Sequence, residues 1–179
     1  MITKYFIKKR IARSIGARRI VNLTDFAEAK SIALVSTMLK APDYEQAAEE
    51  IMKLVPNVAK TFLCFTGPKV ILPEEIPAGN MNRITRKDFN FIGIPKFAFT
   101  KYLKSKQFDI LINFDSTDQM MSHYLSAEIP ATLKVGMTSG EYSGIYDLTL
   151  RLPDNQTVGE YFSHLNFYLR ALKGKTNEK

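Results

Sequence analysis

A three-layer α/β sandwich on a mostly parallel sheet of about five to six strands is the fold this sequence predicts. Three observations carry it. Short apolar runs alternate with amphipathic helical segments along the chain. The apolar run within Asp109–Phe114 lacks the in-out alternation of a one-sided sheet, which is the mark of a strand covered on both faces. A length of 179 residues suits one domain with its own core. The pattern is that of a Rossmann-like or flavodoxin-like domain with right-handed crossovers. It is expected over residues 22–174, after a basic N-terminal helix or arm (1–21) and before a frayed tail (175–179).

The elements follow in order. Ile7, Ile11 and Ile15 lie four apart, so a helix sets them on one stripe with Lys and Arg around it. Turn chemistry at Asn22–Asp25 leads to a buried strand at Ser31–Thr37. Pro42–Val55 has helical spacing with Asp43 as its cap. Val58–Thr66 reads as a second strand, closed by Gly67 and Pro68. Val70–Lys87, with two prolines, a glycine and two asparagines, reads as an irregular connection or small hairpin. A third strand is expected at Asp88–Ile94 and a short helix at Ala98–Lys106.

Asp109–Phe114 is the clearest buried strand. Ser116 and Gln119 have capping-box spacing and open a helix from Thr117 to about Ser126. Ala131–Val135 is a fifth strand, in which Lys134 faces away from Leu133 and Val135. Tyr146–Leu152 is a sixth, antiparallel or at an edge, because no crossover helix fits before it. Thr157 caps a last amphipathic helix that Gly174 stops.

The charge layout is uneven. The formal net charge is +7, and seven of the 25 basic residues fall within residues 1–20, where no acid occurs. The rest of the chain balances, with 18 residues of each sign. A single cysteine excludes a disulfide framework and a Cys-based zinc site. No secretory leader and no run long enough to cross a bilayer is present, so a cytoplasmic setting is expected.

In parallel sheets ligands bind beyond the carboxyl ends of the strands. That rule selects Thr37, Gly67, Asp115, Ser116, Thr117, Thr138, Ser139 and Gly140. His123 joins them as an acid, base or ligand contact, though a lone histidine is often a core residue. Cys64 sits mid-strand and His164 lies on the last helix among aromatics. No Walker loop or Gly-x-Gly-x-x-Gly occurs, and no cofactor or metal is implied.

Two resemblances follow from these residues. Phe108–Asp115, Tyr124–Ala127, Ala131–Gly136 and Tyr146–Leu148 together resemble an uncharacterised family of small basic α/β proteins from Bacteroidetes-type bacteria. The basic start and Ile84–Asp88 fit it too. This resemblance implies a lineage and no mechanism. Separately, Asp115, Ser116, His123, Ala127, Pro130 and Gly136 are similar to the donor-site segment of heptosyltransferase-like glycosyltransferases, with the His-to-Pro spacing one residue shorter. It implies a nucleotide-sugar site on one of two such domains.

The residues point to a binding protein more than to an enzyme. The first expectation is that Lys8, Lys9, Arg10, Arg13, Arg18 and Arg19 dock on a polyanion, RNA or the ribosome. The alternatives are a nucleotide or nucleotide-sugar site at the strand ends, and a scaffold subunit bound to a protein partner. Attachment to a membrane surface ranks below these.

Overall fold

The computed structural model describes residues 2–15, 21–36, 49–50, 52–53, 59–65, 80–91, 94–115, 120–137, 140–150 and 157–177. Six strands form one sheet: β1 (Ser31–Ser36), β2 (Ala59–Phe65), β3 (Asn80–Ile84), β4 (Phe108–Asn113), β5 (Ala131–Gly136) and β6 (Leu148–Thr149). Their order is β3-β2-β1-β4-β5-β6, with every neighbouring pair parallel. The labelled helices are α1 (Ile2–Ile15), α2 (Phe97–Ser105), α3 (Met120–Glu128) and α4 (Val158–Asn177). The chain thus adopts the three-layer α/β fold that its alternating pattern predicts.

Register explains which residue faces which layer. Ile32, Ile110 and Leu133 form one cross-strand row, and Leu34, Ile112 and Val135 the next. Both rows pack against Phe162, Leu165 and Leu169 of α4, with Phe26 and Ala29 beside them. The odd-numbered β1 residues turn the other way. Ala33, Val35 and Leu111 join Leu103 of α2, Tyr124 and Leu125 of α3, and Ile7 and Ile11 of α1. Ile7 and Ile11 are almost fully buried, so the N-terminal segment up to Ile15 is a docked helix. At the amino end of the strands, Asp109 Oδ2 accepts the N–H groups of Lys30 and Ser31 at 2.7 and 2.9 Å, tying β4 to the start of β1.

Several boundaries correct the sequence reading. The third strand is Asn80–Ile84, inside the segment expected to be irregular. The expected strand at Asp88–Ile94 is instead a 3-10 turn over Arg86–Asp88 followed by an antiparallel bridge between Phe89 and Pro95. Asp88 itself draws the chain into that turn, its Oδ2 accepting the Thr85 N–H at 2.7 Å. β6 is two residues long, lies at the edge and runs parallel; a 3-10 turn at Ser143–Ile145 stands where a crossover helix would be. α4 runs through Gly174 to Asn177, so three residues of the expected tail are helical. One glycine costs a helix only about 1 kcal/mol against alanine. Of the helix expected at Pro42–Val55, residues 49–50 and 52–53 are helical and the others lie outside the described residues.

Candidate functional site

Strand order reverses between β1 and β4, and the crevice of such a sheet opens there, at the carboxyl ends. Ser36 ends β1 and Asp115 follows β4. Ser36 Oγ donates to Asp115 Oδ1 at 3.3 Å, and the Asp115 N–H is held by Asn113 Oδ1 at 2.9 Å. Asp115 is half-buried.

Beneath it lies a polar network. Val35, Asn113 and Gly136 form one cross-strand row on the α3 side of the sheet. Gly136 leaves a gap in that row, and the Tyr146 ring fills it; a Cβ on Gly136 would lie 2.6 Å from the ring. The phenol thereby reaches Asn113, whose Nδ2 donates to Tyr146 Oη at 2.6 Å. His123 Nδ1 lies 2.7 Å from the same oxygen. The His123 ring stacks on Tyr142 at 4.5 Å between centroids. Burial pushes the Tyr146 phenol well above the ordinary tyrosine value, against the lowering effect of its hydrogen bonds, so it stays protonated.

His123 is fully buried. It supports the crevice from below and presents no atom to a ligand at the surface. Gly140 is exposed on the rim, where its carbonyl accepts the Ser143 N–H at 3.0 Å. Thr37, Gly67, Ser116, Thr117, Thr138 and Ser139 lie outside the described residues. His164, expected among core aromatics, is on the exposed face of α4. Among the described residues no group of three His, Cys, Asp or Glu side chains is placed to hold a metal ion, and no helix is long and apolar enough to cross a membrane.

The basic residues of α1 divide. Lys8 Nζ pairs with Glu141 at 2.9 Å, a hydrogen bond that raises the lysine's pKa. Arg10 Nη1 lies 3.7 Å from Glu128 and 3.4 Å from Tyr124 Oη. Lys9 and Arg13 are exposed, and Arg13 has no ion-pair partner among the described residues. Arg18 and Arg19 lie outside the described residues.

A second polar region lies at the opposite, amino-terminal end of β5. There a cleft of about 860 Å³ is bounded by the carboxyl ends of α1 and α3, the start of β5 and residues 144–147. Arg10, Arg13, Lys104 and Lys134 line it, with Glu128 and Asp147. Lys134 is buried because β4 pairing sets it in the row of Ala33 and Leu111, under α3. Its Nζ donates to the carbonyls of Ser126 and Ala127 at 2.5 and 3.2 Å. Asn113, Tyr146, Lys104 and Glu128 carried no signal in the sequence that set them apart as site residues. Lys134 did carry one, as a charge within an apolar strand.

The chain belongs to a family of unknown function, DUF6913, whose model matches residues 3–172. No curated protein matches it. Among solved structures it is similar to a glycosyl transferase of family 9 from Veillonella parvula DSM 2008. That match has a TM-score of 0.53 and 14% identity over 76% of this chain and 41% of the other. It is also similar to the E. coli heptosyltransferase WaaC with ADP, at a TM-score of 0.46 and 14% identity over 73% of this chain and 43% of that one. The chain therefore spans less than half the length of these structures, and its likeness to the family 9 glycosyl transferase is one of fold.

Proposed function

We propose that this domain binds a nucleotide-type ligand, a nucleoside diphosphate or nucleotide-sugar, in the crevice at the carboxyl ends of β1, β4 and β5. The observation that carries the reading is the meeting of Ser36 and Asp115 across the reversal of strand order, on a floor held rigid by Asn113, Tyr146 and His123. The fold likeness to a family 9 glycosyl transferase supports it. A carboxylate repels phosphate, so Asp115 is assigned to the hydroxyls of a ribose or sugar, from which it accepts hydrogen bonds. Ser116, Thr117, Thr138, Ser139 and Gly140 are the proposed phosphate contacts. The reading is of binding and not of turnover, since the buried His123 has no path to a reacting atom.

The test is calorimetric titration of the full chain with UDP, GDP and ADP, alone and as sugar conjugates. At least one binds, and Asp115→Asn and Ser36→Ala each weaken it about tenfold, or about 1.4 kcal/mol. No binding across that panel, or equal affinity in both variants, overturns the reading.

A second reading rests on the outer face of α1, where Lys4, Lys9 and Arg13 stand beside the exposed rings of Tyr5 and Phe6. This face suits a single-stranded polyanion such as RNA, with stacking on the rings and charge on the backbone. With Lys8 and Arg10 engaged in ion pairs, three contacts give a log–log salt slope of about −2, from roughly −0.7 per contact. Absence of RNA binding at low salt removes it.

A further inference from the structure

We infer that the cleft at the amino-terminal end of β5 is a second binding site, for a small phosphorylated organic molecule. It lies at the other end of the sheet from the crevice proposed above and does not depend on it.

Much of the charge around the cleft is already committed within the fold. Glu128 is largely buried and sits between Arg10 and Lys104, at 3.7 and 3.2 Å. Asp147 is engaged by β5 itself: its Oδ2 accepts the Lys134 N–H at 2.7 Å, and its own N–H donates to the Lys134 carbonyl at 2.8 Å. The carboxyl end of α3 also faces the cleft, and helix carboxyl ends carry partial negative charge that repels anions. Here the Lys134 ammonium and the Ser14 hydroxyl, 2.8 Å from the Ala127 carbonyl, occupy those carbonyls. Glu128 and the α3 carbonyls are thus met by cations and a hydroxyl from within the fold, and Asp147 is held by the β5 backbone.

Among the described residues Arg10, Arg13, Lys104 and Lys134 line the cleft with Glu128 and Asp147. Arg13 has no ion-pair partner among the described residues, and Lys104 is exposed beyond its contact with Glu128. These two cations are the ones placed to meet a phosphate monoester, which carries about −1.5 to −2 at neutral pH. The guanidinium of Arg13 supplies the forked donors that phosphate oxygens accept.

The remaining walls point to an organic body on that phosphate. Ile15, Val21, Ile129, Pro130, Ala131 and Ile145 give the cleft an apolar side. Its volume of about 860 Å³ falls in the range of small-molecule sites, roughly 300–1,000 Å³.

The experiment is two-dimensional NMR titration of the full chain with glucose 6-phosphate and with inorganic pyrophosphate, with glucose as the uncharged control. Both phosphorylated probes shift amides of residues 127–134 and 144–147 saturably, and glucose does not. Arg13→Gln and Lys104→Gln each weaken the affinity about tenfold. Arg13 is exposed, so its variant keeps the fold. Asp115→Asn leaves these titrations unchanged, which separates this site from the crevice. The inference is overturned if neither probe binds saturably, if Arg13→Gln binds as tightly as the parent, or if the shifts spare residues 127–134 and 144–147. It is also overturned if Arg13 proves to contact RNA while both small probes fail to bind.

Discussion

The two ends of one sheet have solved the same problem, polar groups at the margin of a core, in opposite ways. At the carboxyl end Asn113, His123 and Tyr146 are joined by hydrogen bonds and buried, with the half-buried Asp115 above them. At the amino end Arg10, Arg13, Lys104 and Lys134 stand with Glu128 and Asp147 around a cleft. The difference teaches that the topological rule for ligand sites and the electrostatic rule point to different ends of this molecule. The carboxyl end has the preorganised floor expected of a specific site, whereas the amino end has the field expected of an anion site.

Three changes test that contrast, beginning with the largest expected effect. Ile11→Ala removes a buried side chain by which α1 holds to the body and forms a wall of the amino-end cleft. Truncations of this kind cost about 2–5 kcal/mol, and urea unfolding measures it. A loss under 1 kcal/mol would show that α1 is only loosely attached, and the cleft with it.

Gly136→Ala acts at the other end. Its new Cβ would collide with the Tyr146 ring at 2.6 Å. Overpacking of this sort costs about 1–3 kcal/mol. Displacement of Tyr146 also strands Asn113 and His123, so nucleotide affinity is expected to fall. Thermal melts and the nucleotide titration read the two outcomes separately. An unchanged melting temperature would mean that the network is not a rigid floor.

The smallest effect concerns the rim of the carboxyl end, where α4 begins beside Phe114. Thr157 and Glu160 form a capping box: the Thr157 N–H and Oγ1 donate to Glu160 Oε2 at 2.7 and 3.1 Å, and the Glu160 N–H returns to Thr157 Oγ1 at 3.3 Å. Those bonds hold the Glu160 carboxyl below its ordinary value of 4.5. A depressed acid stabilises the fold above its unfolded pKa and ceases to do so as pH falls through the folded value. Protection factors of the amides in the first turn of α4, exchange corrected for its intrinsic pH dependence, are therefore expected to fall as pH drops below about 4.5, and Glu160→Gln to abolish that dependence. Protection that is flat with pH in the parent chain would show that the cap does not hold this rim.

The features legible in the sequence were local ones. The spacing of Ile7, Ile11 and Ile15 marked a helical face of which Ile7 and Ile11 are buried while Ile15, at the end of α1, is exposed, and the apolar run at Asp109–Phe114 marked a strand covered on both sides. Thr157 marked the start of α4, and the alternation of strands and helices marked the fold class. Each follows from periodicities within a dozen residues. The third strand was missed because Asn80–Ile84, with two asparagines and an arginine, lacks the apolar signature, and its pairing with β2 overrides that composition.

Asp115 and His123 were picked out by their place after β4, but their surroundings were not. Tertiary structure alone decided that His123 is a buried support, that Lys134 closes the carboxyl end of α3, and that Tyr146 fills the gap above Gly136. It also decided that Arg10 and Lys104, 94 positions apart in the chain, share one carboxylate. The physical reason is register. A one-residue shift in the pairing of β4 with β5 would turn Lys134 to the other face and break the row of Val35, Asn113 and Gly136. That register is set by burial of the whole sheet, which no single stretch of sequence contains.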